Sequence, residues 1–216
     1  MTVLKALILG GSRGLGKALK DQIPDACSVS RKSEISIDFS KSGSVEQVLK
    51  LVEEQKPTHI FYSAGGGPHG EFFEKPVKSH EWAFQVNFFT PVAIVKNLIE
   101  KNYQGVFVYI GSAIAERSQS SKSLSYALSK KAAKEVFLSQ PSAGLKTLVF
   151  SPPYMNTGLL PQRAWPRVDC PDLVLESNHV AEVLLNWLDG QNGPEYSRHF
   201  DWLKEFDYTL PDDKEI

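Results

Sequence analysis

The residues "VLKALILGGSRGLGKALKDQ" (3–22) restrict the fold more than any other part of the chain. A short, mostly apolar run comes first (3–9), as expected of a strand covered on both faces. The glycine turn "GGSRGLG" follows, and residues 14–22 carry helical spacing. The alternation then repeats. "ACSVS" (26–30), "ISIDF" (35–39), "THIFYSA" (58–64), "GVFVYIGS" (105–112) and "LKTLVFS" (145–151) read as strands. Residues 44–55, 79–101, 123–139 and 178–188 read as helices. Only a few residues separate the second and third strands, too few for a crossover helix. Strands alternating with helices imply right-handed crossovers and a parallel sheet, hence an α/β fold: a doubly wound sheet in a three-layer αβα arrangement.

Length and charge narrow the class further. A chain of 216 residues is large for one domain and small for two. With no internal repeat and no linker, residues 1–216 are expected to form a single domain. After Ser151 the texture turns irregular and proline-rich, in "PPYMNTGLLPQRAWPRVDCP". Residues 190–216 are ambiguous, suited to a final edge strand or a short helix with an acidic tail. The balance of 24 basic and 25 acidic residues shows no pull toward nucleic acid or an anionic membrane. No apolar run approaches the length of a membrane span. The N-terminal run is too short for a signal peptide and lacks a small-residue cleavage site. Two cysteines make neither a disulfide framework nor a zinc site, and five scattered histidines show no metal-ligand spacing. The expectation is a cytoplasmic protein with no metal.

The glycine turn sits where a phosphate would bind. Glycines let a backbone approach an anion, and the helix N-terminus offers free N–H groups and the positive end of its dipole. The spacing here is Gly10-x-x-x-Gly14-x-Gly16, with Ser12, Arg13 and Leu15 between, and no Walker pattern follows. This is a Rossmann-like dinucleotide site or a glycine-rich turn without a ligand. The second strand ends in "SVSRK", where an acidic residue would take the 2′-hydroxyl of an unphosphorylated adenine ribose. Arg31 stands there instead, with Arg13 in the glycine turn. Arginine suits a phosphate through its bidentate donors and permanent charge, which favours NADP(H) over NAD(H). The competing reading is a solvated basic turn.

In "SLSYALSKKAAKEVF" (123–137), Tyr126 and Lys130 share a helical row with Ala133 and Phe137. Lys130 either marks the edge of the polar face beside Lys131 and Lys134, or works with the tyrosine. Together these pieces resemble the short-chain dehydrogenase/reductase family, over roughly residues 3–188, as a shortened member. "LGGSRGLG" is similar to the family's opening Thr-Gly-x-x-x-Gly-x-Gly, with Leu9 for Thr. "YSAG" keeps Ala64 and Gly65 of Asn-Asn-Ala-Gly, with Tyr62 and Ser63 replacing the asparagines. Asp38 matches the acidic residue that touches adenine, Asn87 the Asn of the long helix, and Ser112 the serine after the fifth strand. "YALSK" supplies Tyr-x-x-x-Lys, and "SPPYMNT" keeps Pro152 and Thr157 but has Pro153 for Gly.

The resemblance implies hydride transfer between NADP(H) and a small carbonyl or alcohol. Tyr126 would be the proton donor, its pKa drawn down by the Lys130 ammonium. Lys130 would also bond the nicotinamide ribose. Ser112 would donate to the substrate oxygen. Asn87 would hold a water linking Lys130 to solvent. The substrate region is expected at about 152–177, with Tyr154, Met155 and Trp165 as candidate walls. His69, in "GGGPHG", reads as a solvated loop residue. The long helices suggest a homodimer or homotetramer. Two rivals stand beside this reading: a non-catalytic NAD(P)-binding regulator of the same fold, and an epimerase or dehydratase with retained nicotinamide.

Overall fold

The structure is a computed structural model, which describes residues 4–116, 121–139, 144–163, 165–169, 171–190 and 197–207. Its elements run β1 (Ala6–Leu9), α1 (Gly14–Gln22), β2 (Cys27–Ser30), β3 (Ile35–Ser36), α2 (Ser44–Gln55), β4 (His59–Tyr62), α3 (Val77–Phe84), a π-helical turn (Gln85–Phe89) and α4 (Thr90–Glu100). Then come β5 (Gly105–Ile110), α5 (Ala113–Glu116), α6 (Leu124–Ser139), β6 (Leu145–Ser151), β7 (Tyr154–Met155), α7 (Trp165–Asp169), β8 (Val174–Leu175), α8 (Ser177–Asp189), β9 (His199–Asp201) and α9 (Trp202–Glu205). The main sheet has seven strands in the order β3-β2-β1-β4-β5-β6-β9, every pair parallel. The order reverses at β1, so the loops after β1 and β4 diverge there and open a crevice at the carboxyl ends of the strands. The expected doubly wound αβα fold is what the chain adopts.

Two apolar cores cover the two faces of the sheet. Leu7, Leu9, Tyr62, Phe107 and Tyr109 point toward α2, α4 and α6, where they meet Val48, Ile94 and Phe137. Ile8, Phe61, Val108 and Phe150 point the other way, toward Leu19 of α1 and Leu184 of α8. This is the period-two alternation of a strand buried on both faces, which is why the strands read as continuous apolar runs. The ambiguous C-terminal stretch holds both expected elements in its described part: β9 closes the sheet edge and α9 follows at once. Residues 191–196 and 208–216, with the acidic tail, lie outside the described residues.

The long helix expected over 79–101 is interrupted, and Pro91 explains where. In a regular helix the residue-91 N–H would bond the carbonyl of Asn87; proline has none. The backbone shifts register instead, with the Thr90 N–H donating to the Gln85 carbonyl five residues back. That leaves the carbonyls of Val86 and Asn87 without helical partners. Two tyrosines at paired positions on neighbouring strands supply the missing donors. Tyr62 Oη donates to the Val86 carbonyl at 2.7 Å and Tyr109 Oη to the Asn87 carbonyl at 2.6 Å. Their rings stack 6.2 Å apart, fully buried. An unsatisfied carbonyl at this depth would cost about 1–3 kcal/mol, so the tyrosines stabilise the turn. Tyr62 is one of the departures from the family pattern, and here it has a structural task.

Candidate active site

A cleft of about 490 Å³ opens at the carboxyl ends of β1, β2, β4, β5 and β6. Its first wall is the turn from β1 into α1, with Gly10, Ser12, Arg13, Gly14 and Leu15. Gly10 has φ +104°, and a Cβ there would stand 2.4 Å from the Ala64 nitrogen. Only glycine lets the β1 and β4 loops cross so closely. Gly16 lies below the lining, where a Cβ would meet the Gly10 carbonyl at 2.3 Å; it lets α1 start directly against the turn. The N-terminus of α1, with no acidic residue in its first turn, therefore faces the cleft. A glycine cradle at a helix N-terminus fits a phosphate-bearing ligand.

One end of the cleft is polar and basic, with Arg31, Lys32 and Asp38. The Ser30 hydroxyl accepts from the Lys32 N–H, shaping the turn that presents the basic pair. Burial would raise the Asp38 pKa, but hydrogen bonds from the Ser40 N–H and hydroxyl, with Arg31 and Lys41 nearby, outweigh it and hold the carboxyl below its ordinary value. Asp38 is thus a fixed carboxylate at the edge of a basic end. Farther along, Ala64, Gly65, Pro152 and Thr157 also line the cleft.

Ser112, Tyr126 and Lys130 converge on one wall. The Ser112 side chain hydrogen-bonds the Tyr126 phenol. Lys130 is 3% exposed, so it is no edge-of-face lysine. Its Nζ donates to the Ile110 carbonyl at 2.6 Å and lies 5.9 Å from the centre of the Tyr126 ring. Burial pulls the Lys130 pKa down to about 7. The expectation that its ammonium would lower the Tyr126 pKa is not met. Burial raises the phenol and the Ser112 hydrogen bond offsets only part of that rise. The same dry wall that brings the two groups together disfavours the charged form of each.

Asn87 is fully buried beneath the cleft rather than in its lining. Its Oδ1 accepts from the Gly66 N–H at 3.1 Å, and its Nδ2 donates to the Gly66 carbonyl at 2.7 Å and to Ser129 Oγ at 2.9 Å. With its main-chain carbonyl taken by Tyr109, Asn87 clamps the loop after β4 onto α6.

The remaining lining is largely apolar. Tyr154 and Met155 line the cleft, joined by Trp82, Leu159, Leu160 and Pro161; the side chain of Trp165 lies outside the described part. Arg167 pins the covering segment by donating to Asn156 Oδ1 at 2.6 Å and to the Thr157 carbonyl at 2.9 Å. Sequence reasoning missed two histidine contacts. His69 lines the cleft with Nδ1 3.1 Å from Ser123 Oγ, and burial, then Lys122 and Lys75, lower its pKa. His80 Nδ1 is 2.5 Å from Ser125 Oγ, and its Nε2 is 3.0 Å from the Phe72 carbonyl. The spacing Ser123-x-Ser125-Tyr126 places both serines beside the tyrosine, but nothing in the sequence pairs them with histidines 45 to 54 residues away.

No family model matches the chain, and no curated protein matches it by sequence. Solved structures do match. A blue fluorescent protein from a metagenomic library, in complex with NADPH, superposes with TM-score 0.76 at 20% identity, over 93% of this chain and 98% of that one. A short-chain dehydrogenase from Streptomyces avermitilis gives TM-score 0.73 at 16% identity, over 92% and 87% of the two chains. One from Sphingobium yanoikuyae, in complex with NADPH, gives 0.72 at 17% identity, over 94% and 91%. At these identities the likeness is one of architecture: the chain has the fold of the short-chain dehydrogenases.

Proposed function

We propose that this chain is an NADP(H)-dependent oxidoreductase of the short-chain dehydrogenase/reductase family, acting on a small carbonyl or alcohol. The observation that carries the proposal is the convergence of Ser112, Tyr126 and Lys130 on a cleft that begins at a glycine cradle. Gly10, Ser12, Arg13, Gly14 and Leu15 would hold the pyrophosphate, Asp38 the adenine, and Ala64, Gly65, Pro152 and Thr157 the nicotinamide half. Arg13 and Arg31 would take a 2′-phosphate. A bound nicotinamide dinucleotide supplies or takes up the hydride.

The chain's own groups handle the proton. Tyr126 Oη gives it to the carbonyl oxygen as the alcohol forms. Ser112 donates a hydrogen bond to that oxygen while charge builds there. Below about pH 7, where Lys130 is an ammonium, it would stabilise the phenolate that proton transfer leaves on Tyr126; the resting phenol is not drawn down because Lys130 loses its proton first. The apolar walls around Trp82, Tyr154, Met155 and Leu159 exclude water and favour a small, weakly polar substrate. We place the substrate region at about 152–177 within a single domain spanning 1–216, and we expect a homodimer or homotetramer.

The test is a screen of aldehydes and ketones for NADPH oxidation at 340 nm. Turnover of at least one carbonyl, lost in Tyr126→Phe, supports the proposal. Tight NADPH binding with no turnover of any carbonyl or alcohol would favour the regulator instead. No binding of either nicotinamide cofactor would overturn both readings.

A further inference from the structure

The Lys130 ammonium is buried, and among the described residues no carboxylate pairs with it. The groups that face it can be named element by element. The Ile110 carbonyl of β5 accepts its hydrogen bond at 2.6 Å. Tyr109, the preceding residue of β5, presents its ring face with the centre 4.6 Å from Nζ. Tyr126, on the same helix as Lys130, lies farther off at 5.9 Å. Gly65 roofs the site so closely that a Cβ would stand 3.1 Å from Nζ and 2.9 Å from Asn87 Oδ1. Asn87 itself is engaged with Gly66, Ser129 and Tyr109. The nearest ring to this cation is therefore that of Tyr109, and it is held in place from both sides. Its hydroxyl is tied to the carbonyl that Pro91 leaves unpaired, and its ring packs 5.0 Å from Phe137.

We propose that Tyr109 is a positioning residue for Lys130: its fixed ring face seats the ammonium in place of a carboxylate. A buried cation over an aromatic face is attracted by the negative face of the ring quadrupole, and the attraction grows when water is excluded. Such a seat opposes the desolvation that otherwise drives Lys130 toward the neutral amine, without adding a negative charge that would repel the phenolate of Tyr126. The hydroxyl acts only on the ring, by holding its orientation.

The inference rests on Lys130 serving as a cation in the proposed reaction, but its test needs no turnover. The purified chain is labelled with acetic anhydride in competition with a free amine across pH 5–10, and acetylation of Lys130 is followed by mass spectrometry. Only the neutral amine reacts, so the profile gives the Lys130 titration midpoint. Tyr109→Phe, which keeps the ring, should hold the midpoint within a few tenths of a unit of the wild type. Phenylalanines carrying one, three and five fluorines at position 109 keep nearly the same shape while weakening and then reversing the ring quadrupole. The midpoint should fall stepwise with fluorine number, by about one unit, or tenfold in the protonation equilibrium, at five. A series with no trend, in proteins whose melting temperatures match Tyr109→Phe, would overturn the proposal. A one-fluorine variant suffices for the comparison if the five-fluorine protein does not fold. If the trend appears while the carbonyl screen finds nothing, the seat stands and the oxidoreductase reading fails; the reverse outcome separates them equally.

Discussion

At the scale of single residues, the candidate site brings titratable side chains together in a largely buried wall, and the proposed proton transfer makes each of them testable. Tyr126→Phe removes one hydroxyl and leaves the ring packed, so cofactor binding should survive while turnover falls by about 10²–10⁴-fold, the usual worth of a positioned acid. Stopped-flow single turnovers beside NADPH titrations check both halves of that expectation. Lys130→Met should abolish most turnover and also change stability in a pH-dependent way. The folded pKa of Lys130, about 7, lies below the unfolded value, so the unfolded chain binds the extra proton between about pH 7 and about pH 10.4. The burial penalty is therefore fully present below pH 7 and is relieved as pH rises through that window. Chemical denaturation at pH 6.5 and pH 10 should find Lys130→Met gaining most over the wild type at the lower pH, and little at the higher. Lys131, exposed one position on, is the control that should move neither measurement. Lys134 is a poor control, because its side chain is only 12% exposed. At the other end of the cleft, Arg31→Asp should weaken NADPH binding far more than NADH binding; equal affinities of the wild type for both cofactors would contradict the assignment of the basic end. The Tyr126–Lys130 row was legible because helical spacing alone puts the two together. The direction of their pKa shifts was not, because burial is a property of the assembled wall and no spacing encodes it.

At the scale of elements, the break in the long helix shows what a sequence holds without displaying. The apolar periodicity of 79–101 predicts one helix, and Pro91 in its interior marks the disturbance. Which groups repair it depends on Tyr62 and Tyr109, which lie in strands that only the folded sheet brings alongside. For the same reason the sequence could name Asn87 but not its partners in Gly66, Ser129 and Tyr109. Tyr62→Phe leaves the Val86 carbonyl buried without its donor and should cost about 1–3 kcal/mol in a denaturant titration, with the slope of the transition unchanged. The order of the main-sheet strands through β6 and of the long helices, by contrast, could be read from the chain, whereas α5, β7, α7 and β8 lie in short stretches with no periodic pattern. The central strands β1, β4, β5 and β6 are largely buried on both faces, and most of the longer helices have glycine or proline near an end, so there local pattern and global fold agree.

At the scale of the whole molecule, exposed apolar groups on the helices bear on assembly. Phe89 on the π-helical turn is 55% exposed and Leu128 on α6 is 46% exposed, both large apolar side chains left on the surface. Sedimentation at micromolar concentration should show a dimer or tetramer, and Leu128→Glu should shift it toward the monomer; a monomeric wild type would refute the assembly proposal. The closing strand has a consequence in time. Ser151 and Asp201 are paired neighbours in the sheet, yet fifty residues separate them along the chain. At about 5–20 residues per second, the ribosome needs several seconds to make that interval. Throughout it β6 presents an unpaired edge, and Phe150 waits for Phe200 and Trp202, whose rings will cover it. Only when Arg198 arrives, donating to the carbonyls of Phe137 and Leu138 and to Thr147, is the seam between α6 and the last strand locked. The newborn chain is thus most open to mispairing and to capture by chaperones after its cleft has been synthesised and before its final edge has closed.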